Sequence, residues 1–189
     1  ADIRFNARLE HIRIQDGAVS AVTVCQHGQT YDLPARHVVL ALGHSARDTF
    51  EMLYQAGLAM VPKPFAMGVR IEHRQSAIDA AQYRSLAGHP ALPPSTYKLS
   101  CHLPNGRSAF SFCVCPGGQV VAAASEPGRT VTNGMSVYAR DGENINGALL
   151  VNVTPADFPS DHPLAGIALQ RQLETAAYAL TGGFAAPCQ

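Results

Sequence analysis

The stretch that most constrains the fold of this chain is residues 36–50, RHVVLALGHSARDTF. Its apolar run, VVLAL, is continuous rather than alternating, which is typical of a strand buried on both faces. Gly43 follows as a turn, and Ser45 with Asp48 three residues later has the spacing of a helix capping box. The stretch therefore predicts a buried strand, a glycine turn and a helix N-terminus, which together can seat an anion or a polar ligand.

Short β segments surround this stretch. Before it, turn signals at Asp16-Gly17 and at residues 27–29 predict a β-meander over residues 1–41. After it, we predict helices over 45–56, 76–81 and 163–180, strands over 65–72, 97–103, 108–115, 119–125 and 148–153, and Asn-Gly turns at 105–106 and 133–134. Strands and helices do not alternate regularly, so the order predicts an α+β architecture of mostly antiparallel sheet with two or three helices.

Two finer expectations concern the ends of the predicted helices and the faces of a strand. Gly57 is expected to end the first helix as its C′ residue. Ser76 and Asp79 repeat the capping-box spacing at the start of the second. In the strand over residues 108–115, the phenylalanines and the cysteines alternate, which predicts that they face opposite sides of a sheet.

The composition excludes several classes of partner. Fourteen basic and fourteen acidic residues cancel among 189, and no block of like charge occurs. Nucleic-acid or acidic-membrane binding needs clustered Lys and Arg, so neither partner is expected. No apolar run is long enough to span a bilayer. Five cysteines, an odd number without a framework spacing, favour a reducing compartment, and the cytoplasm is the expected location.

Gly43-His44-Ser45 allows a first chemical interpretation, a serine hydrolase with Ser45 as the nucleophile of a Gly-x-Ser-x-Gly elbow. The strand predicted before Gly43 and the helix predicted after it are where this elbow requires them. However, Arg47 occupies the fifth position, where a small residue lets the helix and strand approach closely. The flanking meander and hairpins also differ from the β-α units of that fold. A capping role for Ser45 is the favoured interpretation.

A second interpretation is a zinc site formed by Cys101, His102, Cys113 and Cys115. The last two cysteines lie within a predicted strand and not on a Cys-x-x-Cys knuckle, so no metal site is assigned. A third is a non-catalytic binding or interaction domain built on the β region. The glycines at 128, 134 and 142 suit either ligand approach or tight turns, and tight turns are favoured. The chain has no Gly-x-Gly-x-x-Gly motif and no P-loop.

Several stretches carry a family resemblance. VVLALG at 38–43 resembles the closing strand of the FAD-binding domain in glutathione-reductase-like flavoproteins, which usually ends Ala-Thr-Gly. The more specific stretches are FAMGVRIE at 65–72, CVCPGG at 113–118, VVAAASE at 120–126 and VTNGMS at 131–136. In this order they resemble the bacterial family of uncharacterised FAD-dependent, or NAD(FAD)-utilising, dehydrogenases.

The resemblance implies a domain organisation. Residues 1–45 would be the closing meander and strand of a split FAD-binding domain, and residues 46–189 an inserted substrate or cap domain. The family's N-terminal fingerprint for the FAD pyrophosphate would lie outside this chain. The full-length protein would then be an FAD-dependent oxidoreductase, while the chain alone is expected to be inactive and to lack FAD.

The resemblance also implies a mechanism and a set of site residues. The flavin would carry hydride transfer to or from a small-molecule substrate of unassigned identity, with NAD(P)H as an open co-substrate. The residues expected to contact the cofactor are Gly43, His44, Ser45, Gly117, Gly118, Asn133, Gly134 and Met135. No catalytic residue is assigned, because His44, His73 and His102 are each more typical of loop or surface positions. The oligomeric state is not assigned either.

Overall fold

The structure is a computed structural model of the chain, and it describes residues 2–183. Its architecture is α+β, with mostly antiparallel sheet and three helices, so the predicted class is confirmed. The chain forms two compact units. Among the described residues, the first contains 2–62 together with His162–Ile167, and the second contains Lys63–Asp161 and 168–183.

The first unit contains a three-stranded antiparallel meander. Its strands, paired in the order β1-β2-β3, are β1 (Ala7–Gln15), β2 (Ala18–Gln26) and β3 (Gln29–Pro34). The turns between them hold Asp16-Gly17 and His27-Gly28, and all four residues have positive φ. Positive φ at both central residues is the geometry of tight hairpin turns, because its twist matches that of the strands. The predicted meander is confirmed, with β1 beginning only at Ala7.

Helix α1 (Arg47–Gln55) packs against β1 and buries Leu53, which is 3% exposed. Gly57 follows the helix with φ of +82°. Its N–H donates to the Tyr54 carbonyl at 3.0 Å, and the Leu58 N–H donates to the Leu53 carbonyl at 3.1 Å. These two bonds form a Schellman motif, so the predicted C′ role of Gly57 is confirmed.

Two predictions about residues 36–50 are wrong. Residues 38–42 form no strand, and Val39 is 90% exposed. A strand buried on both faces needs paired neighbours, and within residues 2–183 this segment pairs with none. Ser45 does not cap α1 either, because the N-cap position falls on Ala46 and no side chain bonds there. The Ser45 carbonyl instead accepts the Arg47 N–H at 2.8 Å.

The second unit is built on a four-stranded antiparallel sheet in the order β4-β9-β6-β5 and a two-stranded ribbon, β7-β8. The sheet strands are β4 (Phe65–Arg74), β5 (Ser100–His102), β6 (Ser108–Cys115) and β9 (Asn144–Val153). The ribbon strands are β7 (Gly118–Ala122) and β8 (Thr132–Ser136). β9 is central, and its Ile145 and Asn146 are fully buried.

Three predictions about the strands of this unit differ from the structure. β5 is shorter than predicted because the Leu99 N–H donates to the Ser111 hydroxyl, which takes the place of a ladder carbonyl. Asn133-Gly134 was predicted as a turn, but both residues lie inside β8. β6 has the predicted bounds, yet its alternation fails at a register shift between Phe112 and Cys115. Cys113 has φ of +46° there.

Two further helices follow: α2 (Gln75–Tyr83) comes directly after β4 in the second unit, and α3 (Ala165–Leu180) belongs to the second unit from Ala168 onward. The capping box predicted at Ser76 and Asp79 is wrong, because α2 begins one residue earlier, with Arg74 at its N-cap and no side-chain capping bond. Among residues 2–183, no helix is sufficiently long and apolar to cross a membrane.

Gly57→Ala should lower the free energy of unfolding by roughly 1 kcal/mol, because a Cβ is unfavourable at its left-handed φ. Gly43→Ala is the matched control, since Gly43 has no positive φ and a Cβ built on it meets nothing within 4 Å. Urea unfolding followed by circular dichroism measures both changes. Equal losses in the two variants would contradict the assignment of Gly57 as the helix C′ residue.

Candidate functional site

The predicted site residues fall in both units. Gly43, His44 and Ser45 lie in an exposed turn of the first unit. A Cβ built on Gly43 would meet nothing within 4 Å, so close packing does not require glycine there. With no strand in front of Gly43, this turn also lacks the strand that a hydrolase nucleophile elbow requires.

Gly117, Gly118 and Met135 come together in the second unit. They line a groove of about 490 Å³ with other residues of the ribbon, of the loop before β9 and of the start of β9. Those other residues are Gln119, Ser136, Val137, Gly142, Glu143 and Asn144. Gly117 has φ of +57°, so its predicted place in a turn is confirmed. A side chain on Gly117 would overlap the Arg140 backbone, and one on Gly118 would overlap the Met135 carbonyl.

Gly134 lies apart from this groove, buried within β8. A side chain on it would overlap both the Arg70 guanidinium and the Asn146 amide. The Asn133 side chain accepts the Gly134 N–H at 2.9 Å. Gly134 is therefore the residue through which the ribbon makes close contact with the four-stranded sheet.

The polar pair beneath Gly134 was not predicted from the sequence. Arg70 on β4 donates through one nitrogen, Nη1, to Asn146 Oδ1 at 2.5 Å and to the Cys113 carbonyl at 3.1 Å. Asn146 on β9 is completely buried, and its Nδ2 has no hydrogen-bond partner within the described residues. Burying an amide side chain without a hydrogen bond lowers the stability of the fold. The bond from Arg70 therefore offsets part of the cost of burying Asn146.

Glu72 forms a second link on the same face of β4. One of its oxygens accepts the Val120 N–H at 2.9 Å, and the other accepts from the Asn144 side chain at 2.6 Å. This carboxylate thus connects β4 to the ribbon strand β7 and to the first residue of β9. Arg70 and Glu72 are separated by one residue, as two side chains on one face of a strand must be. The Arg-x-Glu spacing at residues 70–72 is the sequence signal from which this polar face of β4 could have been predicted.

Gln75 connects the 490 Å³ groove to helix α2. Its side-chain oxygen accepts the Gly117 N–H at 3.1 Å, and its nitrogen donates to Asp79 at 2.8 Å and to the Ser95 carbonyl at 3.0 Å. Gln75 is 7% exposed and Ser95 is 3% exposed. The conformation of the Gly117 turn therefore depends on a buried network anchored in α2.

Asp79 carries the charge of this network. It accepts the Ser95 N–H at 2.8 Å and the Ser95 hydroxyl at 2.6 Å, in addition to the Gln75 amide. Partial burial alone would raise the pKa of Asp79, but these hydrogen bonds outweigh it, so the pKa lies below its ordinary value. Asp79 thus accepts structural hydrogen bonds as a carboxylate, and its lowered pKa does not suit an acid-catalytic role.

A second groove, of about 730 Å³, lies along β4, the ribbon and α3. Its lining includes Arg70 and Glu72 together with apolar side chains. Val69 is 63% exposed and Leu173 is 45% exposed. Arg171 on α3 pairs with Glu126 at 2.7 Å and so joins the helix to the segment that connects the ribbon strands.

The remaining sequence candidates do not converge. Cys101 and His102 lie on β5, and His102 Nδ1 is 2.9 Å from the Ser108 hydroxyl. The His73 ring meets the Tyr97 ring edge-to-face at 6.0 Å. Within residues 2–183, no group of three or more His, Cys, Asp or Glu side chains is arranged to hold a metal ion.

Comparison with known proteins identifies the family. The family described as "FAD-dependent protein, C-terminal domain-like" matches residues 64–189. The chain belongs to this family. The match begins one residue inside the second unit and includes both grooves, Arg70 and Asn146. This is consistent with an FAD-associated protein.

A relative is known from Clostridium beijerinckii, where it is named only as an uncharacterised protein. It is 47% identical to this chain over 190 residues, which cover all of the chain. The chain spans 35% of that relative's length. The family relationship is therefore shown for residues 64–189. The activity of the full-length protein is a proposal.

Arg70→Met should lower the free energy of unfolding by about 2 kcal/mol, because it removes the donor to the buried Asn146 Oδ1. The double variant Arg70→Met/Asn146→Leu should recover most of that loss, since it removes both polar partners. Urea unfolding provides the measurement.

Arg74→Met is the matched control for this experiment. Arg74 lies on the same face of β4, but its side chain is 67% exposed and pairs with the exposed Glu143. It should change the free energy of unfolding by less than about 0.5 kcal/mol. A similar loss in the Arg70 and Arg74 variants, or no recovery in the double variant, would contradict the role given to Arg70.

Asp79→Asn should reduce the loss of stability in acid. A carboxylate with a depressed pKa stabilises the fold above its unfolded pKa of about 4, and this contribution is lost as pH falls through the lower folded value. The free energies of unfolding of wild type and variant should therefore converge below about pH 4. Urea unfolding at a series of pH values tests this, and a constant difference across the series would exclude the linkage.

Proposed function

We propose that this chain is part of an FAD-dependent oxidoreductase, in which it forms the side of the site that faces the flavin and the substrate. The observation that carries the proposal is the family match over residues 64–189, which includes the two grooves of the second unit. FAD would supply hydride transfer at its flavin ring. The remaining steps concern what the residues of this chain do.

The 490 Å³ groove is the proposed flavin-facing surface. Its volume lies within the range of small-molecule sites, about 300–1,000 Å³. Gly117 and Gly118 leave backbone rather than side chains at this surface, and Met135, 55% exposed, offers a polarisable apolar contact. These properties suit the face of a planar ring. Asn133 and Gly134 would act indirectly, by fixing β8 and with it Met135.

The same surface does not suit a pyrophosphate. Glu143 lies in the groove lining, and an acidic side chain disfavours a second negative charge. The 189 residues also contain no Gly-x-Gly-x-x-Gly motif to bind the phosphates through backbone amides. The residues present fit the ring of the cofactor and not its phosphates. We therefore propose that the chain alone has negligible affinity for FAD.

The 730 Å³ groove is the proposed substrate side. Its exposed apolar residues, such as Val69 and Leu173, would bury an apolar part of a small molecule. Arg70 and Glu72 contribute polar atoms to the lining, but both are already bonded within the protein. Their proposed role is to hold the groove in shape and not to transfer protons. We also propose NAD(P)H as the electron donor to the flavin.

The first unit has a separate proposed role. Residues 1–45 would complete the FAD-binding domain of the full-length protein, and residues 46–189 would form the substrate or cap domain. Support comes from the exposed apolar segment 38–42, which has the composition of a buried strand but pairs with no strand among residues 2–183. In the full-length protein, the turn at Gly43, His44 and Ser45 would then lie against the dinucleotide.

The test uses the full-length Clostridium beijerinckii relative alongside this chain. The relative should purify with bound FAD, recognised by its visible absorption, and NADH or NADPH should bleach that absorption under anaerobic conditions. The chain alone should show no binding when titrated with micromolar FAD. A full-length protein that remains colourless after reconstitution with FAD would refute the proposed function.

A pair of variants locates the flavin-facing surface. At the position of the relative that aligns with Met135, substitution by Asp should lower the FAD content several-fold, because a carboxylate replaces an apolar contact at the groove. The position aligned with Tyr138 is the control, since Tyr138 is fully exposed and lies outside the groove lining. Equal FAD contents in the two variants would refute the location while leaving the cofactor in place.

A further inference from the structure

Two cysteines adjoin a distortion of strand β6. Between Phe112 and Cys115, β6 contains one residue more than the facing part of β9, so the strand bulges. Cys113 takes the left-handed conformation at this bulge, with φ of +46°. Glycine is the usual residue there, because a Cβ makes this conformation unfavourable by about 1–2 kcal/mol. Backbone strain of this kind clusters at functional sites, so the bulge is a candidate for one.

The bulge brings the two thiol groups together. The Cys115 thiol donates to the Cys113 carbonyl at 3.4 Å, so it lies directly beside Cys113. Cα atoms two residues apart are separated by at most about 7 Å, which is close to the upper limit for a disulfide. Both thiols are in the free state in this structure. A disulfide between them therefore requires only a local adjustment of the bulge.

Their surroundings differ in a way that assigns separate roles. Cys113 is exposed, whereas Cys115 is half-buried. Burial raises the pKa of the Cys115 thiol, the adjacent Cys113 thiol raises it further, and the Arg70 guanidinium opposes both. Arg70 Nη1 also donates to the Cys113 carbonyl at 3.1 Å. A cationic group thus lies beside the pair, and it opposes the rise in the pKa of Cys115.

We propose that Cys113 and Cys115 form a redox-active dithiol that closes to an intrachain disulfide by exchange with a small-molecule disulfide. This activity goes beyond the proposed flavin chemistry and does not depend on it. Cys113 is the attacking residue because solvent reaches it. Cys115 is the resolving residue because it lies beside Cys113 and is shielded from bulk reagent.

The proposed thiol–disulfide exchange has two steps. The Cys113 thiolate attacks one sulfur of the small disulfide, forming a mixed disulfide and releasing one small thiolate. Cys115 loses its proton and attacks the Cys113 sulfur, which forms the intrachain bond and releases the second small thiolate. Two electrons pass from the protein dithiol to the small disulfide, which becomes two small thiols after protonation.

The test uses the wild-type chain with oxidised glutathione as the probe. After a time course and alkylation of the remaining thiols, tryptic digestion yields one peptide, residues 108–129, that contains both cysteines and no others. The expected product is this peptide lacking two hydrogens, with neither cysteine alkylated nor carrying glutathione. Cys101 lies in a different tryptic peptide, residues 99–107, and serves as the internal reference for a lone exposed cysteine.

The order of attack and the role of the fold are tested separately. Cys115→Ser should trap glutathione on Cys113, and Cys113→Ser should leave Cys115 at least about ten-fold slower to react than Cys101. In concentrated urea, bridge formation in the wild type should slow by about ten-fold or more, because the bulge no longer positions the thiols. Separate glutathione adducts on both cysteines, full alkylation under oxidising conditions, or an equal rate in urea would each overturn the proposal.

Discussion

The second unit depends on one buried polar contact, between Arg70 on β4 and Asn146 on the interior strand β9. A fully buried amide needs a hydrogen-bond partner, and Arg70 provides it. The guanidinium also reaches the Cys113 carbonyl, so one side chain links β4, β9 and the bulge of β6. Gly134 is required above the pair because no side chain fits between the ribbon and this contact.

The two grooves follow from this arrangement. The ribbon is fixed by Gly134 over Arg70, by the bond from the Val120 N–H to Glu72, and by the Gln75 side chain under the Gly117 turn. Once the ribbon is fixed, its turn borders the glycine-lined groove, and its strands border the apolar groove along β4. The dithiol at Cys113 and Cys115 adjoins the same guanidinium. Arg70 thus links the strands of the sheet and also lies beside the proposed dithiol.

Local signals predicted the parts of the fold that local geometry controls. Asp16-Gly17 and Gly57 were placed correctly because positive φ is available at low cost to very few residue types. Predictions failed where a partner far along the chain decides the outcome. Asn133-Gly134 has the composition of a turn, but both residues belong to a strand because they pair with Val121 and Val120 of β7. Glycine is needed at position 134 because the Arg70–Asn146 pair lies beneath it. Ser76 and Asp79 have capping-box spacing, yet Asp79 bonds to Ser95, sixteen positions away.

The sequence by itself determined the α+β class, the meander, the extent of β6 and the glycine turn at Gly117, since periodicity and turn chemistry are properties of neighbouring residues. The family resemblance also came from sequence alone. Only the tertiary structure decided which residues share a site. Arg70 and Asn146 are 76 positions apart, and Gln75 and Gly117 are 42 apart. No local pattern encodes such pairs, because they form only when strand order and register bring distant segments together.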